Sequence, residues 1–104
     1  MLKRIESREA LNNKVFDIRR SVEAMLKEKE ALCEEWETKC YEAEAEVVTC
    51  EDLIFFYDTP EISKRLEKAY NRVRHYNYIY RKIANECEEL EKALTGLEKA
   101  EYWL

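Results

Sequence analysis

Apolar residues in the second half of the chain recur at alternating steps of four and three. Glu101 is the only charged position in a row that starts at Ile62 and ends at Leu104. The row is Ile62, Leu66, Ala69, Val73, Tyr76, Tyr80, Ile83, Cys87, Leu90, Leu94, Leu97, Glu101 and Leu104. Such heptad spacing is typical of a helix that packs along its length on another helix. The sequence therefore predicts a long α-helix over about residues 60–103.

The first half carries a similar row with one irregularity. The row is Leu11, Val15, Ile18, Val22, Met25, Leu32, Trp36, Cys40, Ala43, Val47, Cys50 and Ile54. Lys29 interrupts it, and two consecutive steps of four around Trp36 form a stutter, which locally relaxes a supercoil. This pattern predicts a helix over about residues 3–56, with residues 1–11 either frayed or forming a separate short helix.

A single turn signal separates the two rows. Pro60 is the only proline and Gly96 the only glycine of the 104 residues, so the chain has few places to reverse. Thr59 is suited to cap a helix that begins with proline at its first position. We therefore expect a turn over about residues 57–60 between the two helices.

The predicted fold class is all-α, with two long antiparallel helices forming a coiled-coil hairpin in one domain over residues 1–104. Folding the chain at the turn places Ile54 opposite Ile62 and Trp36 opposite Tyr80, so the two apolar rows meet.

Charge supports the same arrangement. Residues 34–52 hold eight acids and one lysine, whereas the facing residues 64–82 hold seven bases and one acid. Residues 1–20 have a net charge of +3 and the facing residues 86–101 a net charge of -4. Such complementarity favours one orientation and register. The flanking ion pairs we expect are Arg19 with Glu98, and Glu46 with Arg72 or Arg65.

A lone hairpin buries only one stripe on each helix, which is little for a stable fold. Tyr41, Val48 and Phe55 recur every seven residues on a second face of the first helix. We therefore expect association, most simply a homodimer that forms a four-helix bundle, and otherwise docking onto another protein.

Composition excludes several classes of function. The net charge of -5 gives the whole molecule no general attraction for nucleic acid or anionic membranes. The longest apolar run, residues 53–57, is too short to span a bilayer, and the first residues do not resemble a signal peptide. No two of the four cysteines have C-x-x-C spacing. We expect a cytoplasmic protein without membrane association, metal, cofactor or enzymatic activity, and its one histidine, His75, has no identifiable nucleophile beside it.

Two groups of residues are candidates for partner binding. Phe55, Phe56 and Tyr57 lie at the predicted hairpin tip, where they either dock into a partner's groove or else cap the end of the core or pack in the dimer. Residues 64–82 interleave basic and aromatic side chains, and the outward-facing members expected to contact an anionic partner are Arg74, His75, Tyr78 and Arg81.

The predicted function is a non-enzymatic protein–protein interaction module that has an adaptor, structural or inhibitory role and acts through the hairpin surface and its aromatic tip. One alternative is a small acidic inhibitor that blocks a nucleic-acid-processing enzyme by charge mimicry or steric hindrance, for which residues 34–46 provide the acids. A further alternative is direct nucleic-acid binding through residues 64–82, which is less favoured because the facing acids neutralise much of their charge.

Overall fold

The chain forms two α-helices. The computed structural model describes the backbone of residues 2–103 and the side chains of residues 8–101. Helix α1 comprises Leu2–Phe56 and helix α2 comprises Pro60–Trp103. Helix α1 is continuous from residue 2 onward, without a break near residue 11. The helices form an antiparallel hairpin, so the predicted all-α, coiled-coil fold class is confirmed. Neither helix, over the described part of the chain, contains an apolar stretch long enough to cross a bilayer.

Thr59 begins helix α2 as the sequence predicts. Its hydroxyl oxygen accepts a hydrogen bond from the Ile62 amide at 3.3 Å, and its carbonyl accepts one from Ser63 at 3.1 Å. Pro60 occupies the first helical position, where no amide hydrogen is needed. The Tyr57 amide donates back to the Leu53 carbonyl at 2.6 Å and closes the last turn of α1. The helices are therefore joined by only three residues, 57–59.

The apolar row predicted for α2 is confirmed as the face that packs on α1. Ala69, Ile83 and Cys87 are buried, and every other position of the row from Ile62 to Glu101 is at least half-buried. Leu104 lies outside the described residues.

The row predicted for the first half of α1 is wrong at four positions, whereas Val15 and Val22 are half-buried as predicted. Leu11, Ile18, Met25 and Leu32 are exposed. The half-buried positions between residues 15 and 33, apart from Glu23, form a different row: Val15, Arg19, Val22, Leu26, Lys29 and Cys33. This row continues through Trp36, Cys40, Ala43, Val47, Cys50 and Ile54 in alternating steps of three and four, so the burial pattern contains no stutter.

Ion pairs explain how α1 accepts two charged residues on its packed face. The Arg19 guanidinium lies 2.5 Å from a Glu101 carboxylate oxygen, and Lys29 Nζ lies 2.5 Å from Glu86. Each cation at a packed position thus meets an acid on α2, which removes the main cost of burying a charge. The packed row of α1 therefore keeps its regular steps of three and four. The apolar side chains of Leu11, Ile18, Met25 and Leu32 remain exposed.

The predicted partner of Arg19 was one turn away from the observed one. Arg19 pairs with Glu101 instead of Glu98, because Arg19 lies on the packed face and its counterpart also lies on the packed row of α2. The prediction for Glu46 is confirmed, since its carboxylate accepts a hydrogen bond from Arg65 Nε at 2.6 Å.

Contacts within the chain divide it into two compact units. One unit comprises residues 31–84, which include the turn. Its buried side chains are mostly small, namely Cys40, Ala43, Cys50 and Ala69, with Ile83 as the largest. The other unit holds the described parts of 1–30 and 85–104. It contains both ion pairs of the packed face, and its only buried described side chain is Cys87, which is 8% exposed.

Candidate protein-interaction surfaces

The end of the hairpin presents three consecutive aromatic residues, which we call the tip surface. Phe55, Phe56 and Tyr57 are 83%, 74% and 64% exposed. Phe55 and Phe56 point about 100° apart on the last turn of α1, and Tyr57 follows the end of the helix, so the three side chains do not share one helix face. Leu53 and Ile54, which precede them, are the half-buried residues of this turn. The Phe55 and Phe56 rings contact each other edge to face, with centroids 5.2 Å apart.

Acidic residues flank the tip surface along the chain. Glu51, Asp52, Asp58 and Glu61 lie within a few residues of the aromatics and are exposed. Loop and turn residues are normally polar, so an apolar centre with an acidic rim is an unusual end for a hairpin.

Two polar contacts connect the helices below the tip. The hydrogen bond from Arg65 holds the pKa of the Glu46 carboxyl below its ordinary value, and the nearby Arg72 acts in the same direction. The Tyr70 hydroxyl donates to a Glu51 carboxylate oxygen at 2.7 Å, which raises the pKa of Tyr70. Because Arg65 is paired with Glu46, its charge is largely compensated and the rim remains acidic.

The predicted basic–aromatic residues lie on α2 within the same unit. Arg74, His75, Tyr78 and Arg81 are all exposed, and Tyr78 is among the most exposed aromatic residues of α2 at 68%. Arg74, Tyr78 and Arg81 are spaced by four and three, so they share one helix face. Neither arginine forms an ion pair within 4 Å among the described residues.

Other aromatic residues of the same segment belong to the packed face instead. Tyr76 and Tyr80 are half-buried, and the Tyr76 ring meets the Trp36 ring edge to face with centroids 5.3 Å apart. The basic–aromatic segment 64–82 is therefore divided between a packed side and an exposed side.

All four cysteines lie on the packed rows of the two helices. None of the four forms a disulfide; Cys33 is half-buried and the other three are buried. Burial raises the pKa of the Cys40 and Cys50 thiols, which disfavours the nucleophilic thiolate. Within the described residues, no group of three or more histidine, cysteine or acidic side chains is placed to hold a metal ion.

Sequence reasoning missed one surface, which we call the lateral face of α1. Leu11, Ile18 and Met25 were assigned to the packed row, but they are 47%, 52% and 49% exposed and lie seven residues apart. The signal that could have found it is the regular row through Arg19 and Lys29, whose charges have acidic counterparts on α2.

The chain has no match among protein-family models, curated proteins or solved structures.

Proposed function

We propose that this protein is a non-enzymatic protein–protein interaction module whose tip surface inserts into an apolar cleft of another protein. The observation that carries the proposal is the exposure of Phe55, Phe56 and Tyr57 at the end of the hairpin. Exposed aromatic residues are costly in water and are enriched among the residues that dominate binding energy at interfaces.

Charge indicates which cleft would fit. The acidic rim formed by Glu51, Asp52, Asp58 and Glu61 would favour a partner whose cleft is edged by lysine or arginine. Complementary rims mainly accelerate association and exclude wrong partners, while the aromatic centre provides the affinity. Because salt screens exposed charges, added salt should slow the association of the two proteins.

The test compares a tip variant with a matched surface variant. Phe55→Ser with Phe56→Ser removes the centre of the tip surface, and Tyr41→Ser with Val48→Ser removes two apolar side chains that are similarly exposed on α1. Proteins from the native host that bind the wild-type chain and the matched variant, but not the tip variant, are identified and purified. Titration by calorimetry should then show a loss of affinity of about 100-fold or more for the tip variant.

Two results would contradict the proposal. One is equal affinity of the tip variant and the wild type for the purified partner. The other is loss of helical circular dichroism in the tip variant, which would mean that these aromatics support the fold and do not serve as a docking surface.

An inhibitory role is a second candidate because of the acidic part of α1. Glu34, Glu35, Glu37, Glu42 and Glu44 are all exposed, so they form a negative surface that resembles the charge of a phosphate backbone. An inhibitor of this kind would release a nuclease or polymerase from its substrate. Replacing these glutamates with glutamine should abolish the inhibition, while Phe55→Ser should leave it unchanged.

Direct nucleic-acid binding is a third candidate, supported by the exposed Arg74, Tyr78 and Arg81. It predicts retention on single-stranded oligonucleotides that weakens steeply with salt. Arg74→Glu with Arg81→Glu should abolish this retention, whereas persistence of binding in that variant would rule out this surface.

A further inference from the structure

We infer that the lateral face of α1 binds the same face of a second copy of the chain in antiparallel orientation. The apolar members of the face are Leu11, Ile18 and Met25, each about half exposed. Lys14, Ser21 and Glu28 alternate with them at steps of three and four and are also exposed. Together they form a second heptad row on α1, distinct from the row that packs on α2.

The position of this row requires an additional helix to cover it. At about 100° per residue, the lateral face lies roughly 100° around α1 from the row of Val15, Val22 and Leu26. Helix α2 occupies the latter side, so it leaves Leu11, Ile18 and Met25 in contact with solvent. A heptad row of apolar residues is typically covered by another helix.

The order of the polar residues on the lateral face indicates that the covering helix is α1 of a second copy. Lys14 and Glu28 are equally far from Ser21, and they carry opposite charges. An antiparallel copy centred on Ser21 therefore places Lys14 opposite Glu28 of the second copy, and this pair occurs twice because of the two-fold symmetry. The same register places Ile18 opposite Ala24 of the second copy and one residue from its Met25.

The charges are available for such pairing. Among the described residues, neither Lys14 nor Glu28 forms an ion pair within 4 Å. A parallel copy would place lysine against lysine and glutamate against glutamate, which is unfavourable. Ser21 is small, so the two helices can approach closely at the symmetry axis. The lateral face is thus complementary to the same face of a second copy that runs in the opposite direction. Two-fold interfaces between identical chains have this property.

Light scattering tests whether the dimer forms. The wild type should have twice the chain mass of 12.6 kDa at high concentration and dissociate on dilution. Ile18→Glu should reduce the mass to that of one chain while helicity is retained. Val48→Glu, which changes an equally exposed apolar residue outside the face, should leave the dimer intact. A single-chain mass of the wild type at high concentration would overturn the inference, as would dissociation by Val48→Glu and not by Ile18→Glu.

Charge reversal tests the register. Lys14→Glu should raise the dissociation constant about tenfold, or about 1.4 kcal/mol, because two attractive pairs are lost and two repulsive pairs replace them. The double variant Lys14→Glu with Glu28→Lys should restore the wild-type value. No recovery in the double variant would overturn the predicted pairing.

Crosslinking tests the orientation. In an antiparallel dimer centred on Ser21, the variant Ser21→Cys should form a disulfide between copies under mild oxidation, whereas Leu11→Cys should not exceed the wild-type background. A parallel dimer would crosslink through both positions, and that result would overturn the inference. The proposed tip surface is not involved, so Phe55→Ser should leave the dimer mass unchanged.

Discussion

The packing of α1 can be tested by two neighbouring substitutions, Leu26→Ala and Met25→Ala. The apolar pattern of the sequence assigns Met25 to the packed row, whereas the structure places the half-buried Leu26 there and leaves Met25 49% exposed. Both changes produce alanine at adjacent helical positions, so differences in helix propensity are small. A difference in stability between the two variants therefore reports the difference in burial between Leu26 and Met25.

The expected magnitudes follow from this burial. Truncating a fully buried leucine to alanine costs about 2–5 kcal/mol, so the half-buried Leu26 should lose about 1–2 kcal/mol of unfolding free energy. Met25→Ala should cost less than about 0.5 kcal/mol, as is usual for exposed positions. For a chain of this size, about 1 kcal/mol lowers Tm by roughly 4–8 °C.

The assay is urea and thermal unfolding followed by far-ultraviolet circular dichroism. Samples should be dilute enough for light scattering to give the single-chain mass, so that loss of a dimer contact at Met25 does not contribute. If Met25→Ala destabilised the diluted chain as much as Leu26→Ala, α1 would be rotated relative to the structure described above, and the reasoning about its packed face would be refuted.

Three further predictions concern the turn, the ion pair below the tip and the thiols. Thr59→Ala should lower the unfolding free energy by about 1 kcal/mol because an amide of α2 loses its cap, and Thr59→Ser should restore most of it; equal stability of all three proteins in urea would contradict the cap. Because Arg65 lowers the pKa of Glu46 in the folded state, the charged carboxylate stabilises the fold above its ordinary pKa of 4.5, and this contribution is lost as the pH falls through the lowered value. Glu46→Gln should therefore lower Tm at neutral pH and lose less additional Tm than the wild type on acidification, whereas parallel curves would refute the pairing. A thiol reagent should modify the half-buried Cys33 first and Cys50 last, because Cys50 is fully buried and burial raises its pKa; equal labelling rates by mass spectrometry would contradict this order.

The second helix could be predicted from the sequence almost residue by residue. Only Glu101 breaks an otherwise apolar or aromatic row, and no competing row of comparable length exists on α2. Thr59 and Pro60 are equally unambiguous, because few residue types cap a helix or begin one so well. Where the apolar pattern of a helix coincides with its packed face, the sequence alone is sufficient to predict that face.

The first half of α1 could not be predicted in the same way because two rows compete there. Lys29 lies on both rows, and Met25 is about as apolar as Leu26, but Ile18 is far more hydrophobic than Arg19, so hydrophobicity favours the wrong row. The observed row is stabilised by Glu101 and Glu86, which lie more than fifty residues away in the chain. The choice therefore depends on pairing between helices, which a pattern along one helix does not contain.

The candidate surfaces were only partly accessible to sequence reasoning. The sequence located Phe55, Phe56 and Tyr57 at the tip but left open whether they cap the core, a question that depends on where α2 begins relative to the end of α1. They are exposed in a hairpin in which only three residues separate the end of α1 from Pro60, where α2 begins.

The three-residue connection also has a consequence for the order in which the chain folds. Pairs next to the turn, such as Glu46 with Arg65, are separated by only 19 residues, whereas Arg19 and Glu101 are separated by 82. Closing a short loop loses less chain entropy, and each closed pair brings the next pair within reach. We therefore expect the helices to zip together from the turn outward, with Arg19 and Glu101 meeting last during folding and separating first when the chain opens.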